Sequence, residues 1–241
     1  MNRVTYLEHS SFAVTTNDVI LVFDYVRDPS HALHRILEQN PDKPVIFFAT
    51  HNHPDHFNKS VYEIAQNHNR TYVLSNDIPA KGIPSTLAVQ GMSAGDYVEG
   101  LPGGVSVKAY PSTDAGVSYY VTTGTKETIF HAGDLNDWHW QDEATFREVE
   151  EADEKFNVIV NRIASEVSSV DMAFFPVDTR LGSDMARGAR IFLQKIAVKD
   201  FFPMHFNGDY TKACDFADYA PATTSCHCLH EPGQSIDISK V

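Results

Sequence analysis

The 241-residue sequence has no apolar run approaching the roughly 18 residues that a membrane span requires, so no transmembrane helix is expected. Its opening, MNRVTYLEHSSF, has no apolar h-region of the kind that marks a secretory signal, and a cytoplasmic protein is the expectation. Basic residues are scarce: 19 Lys and Arg stand against 32 Asp and Glu, a net charge of −13. Such a surface repels phosphate backbones and anionic lipid, which argues against nucleic acid or a membrane as main partner. The three cysteines, all late in the chain, fit a reducing compartment better than a disulfide framework. No stretch rich in Pro, Gly or Ser divides the chain, and no repeat or low-complexity segment occurs. One globular domain over residues 1–241 is expected, since 42% hydrophobic residues suffice for a packed core.

What is present begins with short β-rich runs at 4–9, 11–16 and 19–25, which read as an antiparallel meander. A short helix follows from a Ser30 N-cap, Asn40-Pro41 ends it, and PVIFFAT (44–50) is a buried strand. KSVYEIAQNH (59–68) reads as helix, and 71–75, 105–110, 117–123 and 127–134 read as strands. The charge-rich run 142–166 carries Phe146, Val149, Phe156, Ile159, Val160 and Ile163 near helical spacing. Strands at 170–177 and 199–206 then alternate with helices at 183–196 and near 211–220, before strands in CHCLHE and QSIDIS. Strands at both ends with helices between them suggest two facing sheets with helices outside.

The chemistry concentrates in THNHPDHFNK, Thr50 to Lys59, directly after a buried strand. Imidazole and carboxylate are the ligands that zinc and similar ions prefer, and a loop lets His51 and His53 face one ion while Asp55 and His56 face another.

Further along, VILVFDY ends near Asp24, FHAGD carries Asp134 and FPMHF carries His205. With H-x-H-x-D-H, these motifs resemble those of the metallo-β-lactamase-fold hydrolase superfamily, in the family's order and over nearly the whole chain. The resemblance implies an α/β, four-layer αββα sandwich with a metal pair at one edge of its sheets. It implies one ion on His51 and His53, another on Asp55, His56 and His205, and Asp134 between them. HNHPDHFN, STDAGVSYYV, FHAGDLNDWHW, PVDTRLG and FPMHF also resemble a branch related to lactonases of sugar-acid phosphates, the L-ascorbate-6-phosphate lactonase-like proteins.

One departure stands out: many relatives place a third His on the first metal, but AYPSTDAGVSYY (109–120) contains none. Asp114 is the anionic residue available there, as ligand or as turn residue. One or two ions, zinc first with manganese or iron as alternatives, are therefore expected.

A divalent ion lowers the pKa of water to roughly 7, and the activated water attacks a carbonyl or phosphoryl centre. Asp55, His139 and His9 are candidates for the leaving-group proton. Asp24 is expected to accept the free N–H of a ligating His. Asp178 and Arg180 stand at the mouth of the site, where Arg180 either clamps an anionic group or pairs with Asp178. Trp138 and Trp140 are open to pocket-lining or subunit-contact roles.

GMSAG (91–95) spells the nucleophile elbow, but no helix follows, so a loop is expected. Cys226, Cys228 and His230 would share a strand face, with an accessory metal site as the minor reading. The leading function is a metal-dependent hydrolase of a small ester, lactone or phosphoester. The rivals are a ribonuclease or phosphodiesterase of the same fold and a non-catalytic metal-binding sensor. Oligomeric state is not legible.

Overall fold

A computed structural model describes residues 2–206 and 209–239. Apolar runs, continuous in the central strands, build one sheet from β1 (Asn2–Glu8), β2 (Ser11–Thr15), β3 (Ile20–Phe23), β4 (Val45–Ala49), β5 (Arg70–Ser75), β6 (Ala88–Met92) and β14 (Ser235–Ile238). Its order is β14-β1-β2-β3-β4-β5-β6. The other sheet holds β7 (Tyr97–Leu101), β8 (Val105–Pro111), β9 (Val117–Thr122), β10 (Thr128–His131), β11 (Ser169–Pro176), β12 (Ala197–Met204) and β13 (Ser225–Cys226), in the order β13-β12-β11-β10-β9-β8-β7. The helices are α1 (Ala32–Gln39), α2 (Phe146–Glu166), α3 (Arg187–Lys195) and α4 (Tyr210–Cys214).

The expected meander is present: β1, β2 and β3 pair antiparallel, and β3 to β6 continue parallel. The second sheet repeats this scheme, antiparallel from β7 to β10 and parallel from β10 to β13. Strands β1 and β3 to β6 therefore share one direction, as do β8 and β10 to β13. Their C-terminal ends form the edge where the motifs converge.

Both faces of these strands are apolar because both are covered. Between the sheets, Phe12 meets Phe174 at 4.7 Å and Phe48 meets Tyr119 at 5.6 Å between ring centroids. Outside the second sheet, Phe192 of α3 packs on Phe130 (5.0 Å) and Phe175 (4.8 Å), while α2 adds Phe156, Ile159, Val160 and Ile163. Truncating Phe192 to Ala would cost about 3–5 kcal/mol at such a site. Outside the first sheet, Leu33 and Leu37 of α1 join Val22, Phe47 and Tyr72. The result is the αββα sandwich of the metallo-β-lactamase fold.

Local chemistry explains where the helices begin. The Thr145 backbone N–H donates to Glu148 and the Glu148 N–H to the Thr145 hydroxyl, a capping box that starts α2 worth about 1 kcal/mol. At α1 the expected Ser30 cap is replaced: the Asp28 carboxylate accepts from the N–H groups of Ala32 and Leu33, both at 2.8 Å. Residues 59–68 make only a 3-10 turn over Lys59–Glu63, capped by Asn58, because the chain must drop back to enter β5. GMSAG is not all loop: Gly91 and Met92 close β6, which pairs parallel with β5. Of CHCLHE (226–231) only Cys226 is strand, paired in β13 with the preceding Ser225. The cysteines differ most from expectation, since Cys214 and Cys228 form a disulfide and Cys226 alone is free. Among the described residues no helix is long and apolar enough to cross a membrane.

Candidate metal centre

Most strands of the common direction deliver a side chain of the site just past their ends. His9 follows β1, Asp24 follows β3, Thr50 to His56 follow β4, Asp114 follows β8, Asp134 follows β10, Asp178 follows β11 and His205 follows β12. His9, Asp24 and His205 leave their strands with φ of 54°, 44° and 59°. This left-handed backbone costs roughly 1–3 kcal/mol at a non-glycine residue, and its concentration here marks a site that the surrounding packing holds in place.

The geometry then sets imidazole tautomers. Asp24, fully buried, accepts from the Thr50 N–H (2.7 Å), the Thr50 hydroxyl (2.7 Å) and His56 Nδ1 (2.7 Å), which turns His56 Nε2 toward Asp134 Oδ1 at 2.9 Å. Because the Thr50 hydroxyl gives its proton to Asp24, it accepts from His51 Nδ1 (3.0 Å), and His51 Nε2 lies 3.3 Å from Asp134 Oδ2. Asp178 takes the Nδ1 proton of His205 (2.9 Å), whose Nε2 stands 3.4 Å from Asp134 Oδ1. Three ring nitrogens thus converge on one carboxylate. His9 joins them, its Nε2 3.5 Å from Asp55 Oδ2 and its ring 4.2 Å from that of His205.

Burial opposes the negative charges, yet the surrounding groups outweigh it. The imidazoles of His51, His56 and His205 hold the Asp134 carboxyl far below the usual range. Around Asp24, His131, His56 and His51 do the same. Hydrogen bonds from His205 and Arg180 lower Asp178 to about 2. Burial lowers His9, and the neighbouring His9 imidazole lowers Asp55.

The donor set fits divalent ions. Ligand atoms of His9, Asp55, His56 and His205 lie within 4.8 Å of one another, as do those of His51, His53 and Asp134. Nε2 of His9, His51 and His56 and Oδ1 of Asp134 are buried without a hydrogen bond. Orphaned nitrogens and a carboxylate oxygen facing one space are what a bound cation would satisfy.

The remaining candidates divide. Asp114 lies beside His53, Oδ2 to Nδ1 3.9 Å, with both side chains about half exposed. Arg180 bonds Asp178 through Nε (2.9 Å), caps the Trp140 ring at 5.5 Å, and still lines the pocket. The two tryptophans stack on each other at 5.9 Å and form one wall. His139 is not brought to this pocket: its Nδ1 accepts from the Gln141 N–H, and its charged neighbours are Arg187, Asp184 and Asp153. His131 packs between the sheets on Phe23 at 5.0 Å, with Nε2 on Ser10 O.

Sequence reasoning passed over Thr50 as a brace and Asp77, whose carboxylate accepts from the Asn52 N–H (3.0 Å) and steadies the histidine loop. Thr50 opens the recognised motif and Asp77 follows the neighbouring strand β5, and these positions are the signal available for them. Gly133 (φ 54°) lies against Thr50, where a Cβ would fall 2.8 Å from the hydroxyl oxygen. Gly116 (φ 60°) is tighter still, with a Cβ 2.0 Å from Thr50 O.

The pocket over this cluster has a volume of about 340 Å³, bounded by His53, Asp55, Asp114, Trp138, Trp140 and Arg180 among others. The model of the beta-lactamase superfamily domain matches residues 3–153. Among solved structures, the chain is similar to Igni18, a metallo hydrolase from the hyperthermophilic archaeon Ignicoccus hospitalis, at 17% identity and TM-score 0.69 over 99% of both chains. It is also similar to the metallo-beta-lactamase fold protein YhfI from Bacillus subtilis, at 11% identity and TM-score 0.62, over 98% of this chain and 100% of that one. CmlA, a diiron beta-hydroxylase from Streptomyces venezuelae, matches at 11% identity and TM-score 0.61, over 98% of this chain and 54% of that one. Among curated proteins none matches in sequence.

Proposed function

From the premise that this chain belongs to the beta-lactamase superfamily, we propose that it is a metal-dependent hydrolase of a small ester, lactone or phosphoester. The observation that carries this reading is the convergence of His51, His56 and His205 on the buried Asp134, each Nδ1 already occupied by a protein oxygen. In this reading His51, His53 and Asp134 would hold one divalent ion, with Asp114 in place of a third imidazole, and His56, Asp55 and His205, which Asp134 also faces, would hold a second. Zinc is the first choice, and the carboxylate contribution also suits manganese or iron.

A bound divalent ion supplies Lewis acidity that activates water and polarises a substrate oxygen. The chain's own groups do the rest. Asp24, Thr50 and Asp178 keep the imidazoles in the tautomer that points Nε2 at the site. His9, whose affinity for a proton burial reduces, sits beside Asp55 so that the pair passes a proton to the leaving group. Trp138 and Trp140 shape the wall against which the substrate lies, and Arg180 offers charge to an anionic substituent at the mouth. That charge favours sugar-acid phosphates and related anions, as the lactonase-like motifs suggest. The acidic surface favours small molecules over nucleic acid or membrane, and a cytoplasmic site of action and a single domain belong to the same proposal.

The test is elemental mass spectrometry on protein purified without added metal or chelator, with turnover on a panel of esters, lactones and phosphoesters. Metal-dependent turnover that chelation removes and reconstitution restores is expected. Stoichiometric metal with no hydrolysis across the panel would move the assignment to a binding module.

A further inference from the structure

The C-terminal corner holds a second group of ligand atoms that the hydrolytic site does not use. Cys214 ends α4, Cys228 follows β13, and the two are joined with Cα atoms 5.3 Å apart. A nitrogen of His230 lies within 4.8 Å of both sulfurs. His230 is positioned by its backbone N–H on the Gln234 side-chain oxygen (2.9 Å) and by its ring against Tyr210 (5.7 Å). Its Nδ1 is buried and makes no hydrogen bond. A buried imidazole nitrogen without a partner, beside two sulfurs, lacks only a cation. All three residues are partly exposed, so an ion could reach them.

We propose that Cys214, Cys228 and His230 form a third metal site, for a soft or borderline divalent cation such as zinc, that opens only when the disulfide is reduced. A dithiol supplies two electrons and two protons and closes to its own disulfide, or a phosphine supplies two electrons and becomes its oxide while water supplies the oxygen and both protons; either way the S–S bond breaks to give two thiols. Cation binding then displaces both thiol protons and forms two metal–sulfur bonds and one metal–nitrogen bond, with water completing the tetrahedron. Zn–S bonds of about 2.3 Å place two tetrahedral sulfurs about 3.8 Å apart. That separation follows from side-chain rotation at the two cysteines while α4 and the segment after β13 stay in place. The donor set differs in kind from the His and Asp cluster: thiolates select soft ions, and the two sites are filled independently. Cys226 is free and stands outside this group.

Cobalt(II) tests this in the full-length protein, because a thiolate ligand gives a near-ultraviolet sulfur-to-cobalt charge-transfer band that His and Asp ligands do not. Metal-free protein is titrated with Co2+ before and after reduction and removal of reductant. The reduced protein should bind one further ion per chain and show the band; the oxidised protein should not. His230→Ala should weaken this ion at least 10- to 100-fold, no less than the loss of a residue that merely supports a ligand. Cys226→Ser should leave the band unchanged. Three free thiols in protein purified without reductant, or no band after reduction, would overturn the proposal, as would a band lost with Cys226→Ser and kept with Cys228→Ser. The comparison of oxidised and reduced wild type needs no variant to fold.

Discussion

On one side of Asp134, His56 and His205 are 0% and 4% exposed and each donates an Nδ1–H hydrogen bond to a buried carboxylate, whereas on the other side His53 is 49% exposed, with Asp114 at 3.9 Å and the His51 ring at 4.5 Å beside it. His51 stands between these cases, buried but braced by the Thr50 hydroxyl, which relays to the same Asp24 that holds His56. Held rings lose little freedom when an ion arrives, and a carboxylate on the far nitrogen makes the near one a stronger donor. An exposed ring beside an exposed carboxylate must be ordered by the ion itself. The half built on His56 and His205 should therefore fill first and hold its metal longest.

The largest effect falls on the residue the halves share. Asp134→Asn should empty both positions and abolish turnover; two ions per chain by elemental mass spectrometry in this variant would remove Asp134 from between them. Asp24→Asn or Asp178→Asn should weaken the tighter ion by 10- to 100-fold, the usual cost of an unsupported imidazole. His53→Ala should instead lose only the weaker ion, and chelator competition that showed equal losses in all three variants would end the distinction between halves. Asp114→Ala comes next: a few-fold weakening of the first ion alone, read from the same competition. No change there would leave Asp114 as a turn residue and the first ion on His51, His53 and Asp134.

The motif residues were legible because each lies just beyond a strand end and their types have few other uses in combination. Strands on both sides were legible from apolar runs that must be covered on two faces. The braces were harder. Thr50 is an unremarkable hydroxyl in sequence, and its role exists because β3 and β4 pair side by side and bring Asp24 against it. His139 was misleading for the opposite reason: Trp138 and Trp140 turn inward to the pocket, with Trp140 at φ 43°, and the residue between them faces α3 and its Arg187. The Cys214–Cys228 pair joins residues 14 apart across α4 and β13, a closure that cysteine counting does not reveal.

A buried carboxylate that braces no imidazole should behave in the opposite way to Asp24 and Asp178, and Asp137 provides the contrast. It is fully buried and shares Arg187 with Asp153, the guanidinium Nε standing 2.9 Å from its Oδ2. Burial, and then the neighbouring Asp153 carboxylate, push its pKa from 3.8 up to about 7. The folded state thus holds this proton over a window in which the unfolded chain has released it. Stability contributed by Asp137 is present below the lower value and declines as pH rises toward the upper one. Asp178 runs the other way: its contribution is present above the ordinary carboxylate range and is lost as pH falls toward about 2. Asp137→Asn should remove the decline without altering metal content, which makes it the smallest effect in this series. Denaturant unfolding of metal-free wild type and variant across pH 4 to 7 reads it directly, and a stability difference that stays constant over that range would mean that Asp137 is ionised in the folded protein throughout.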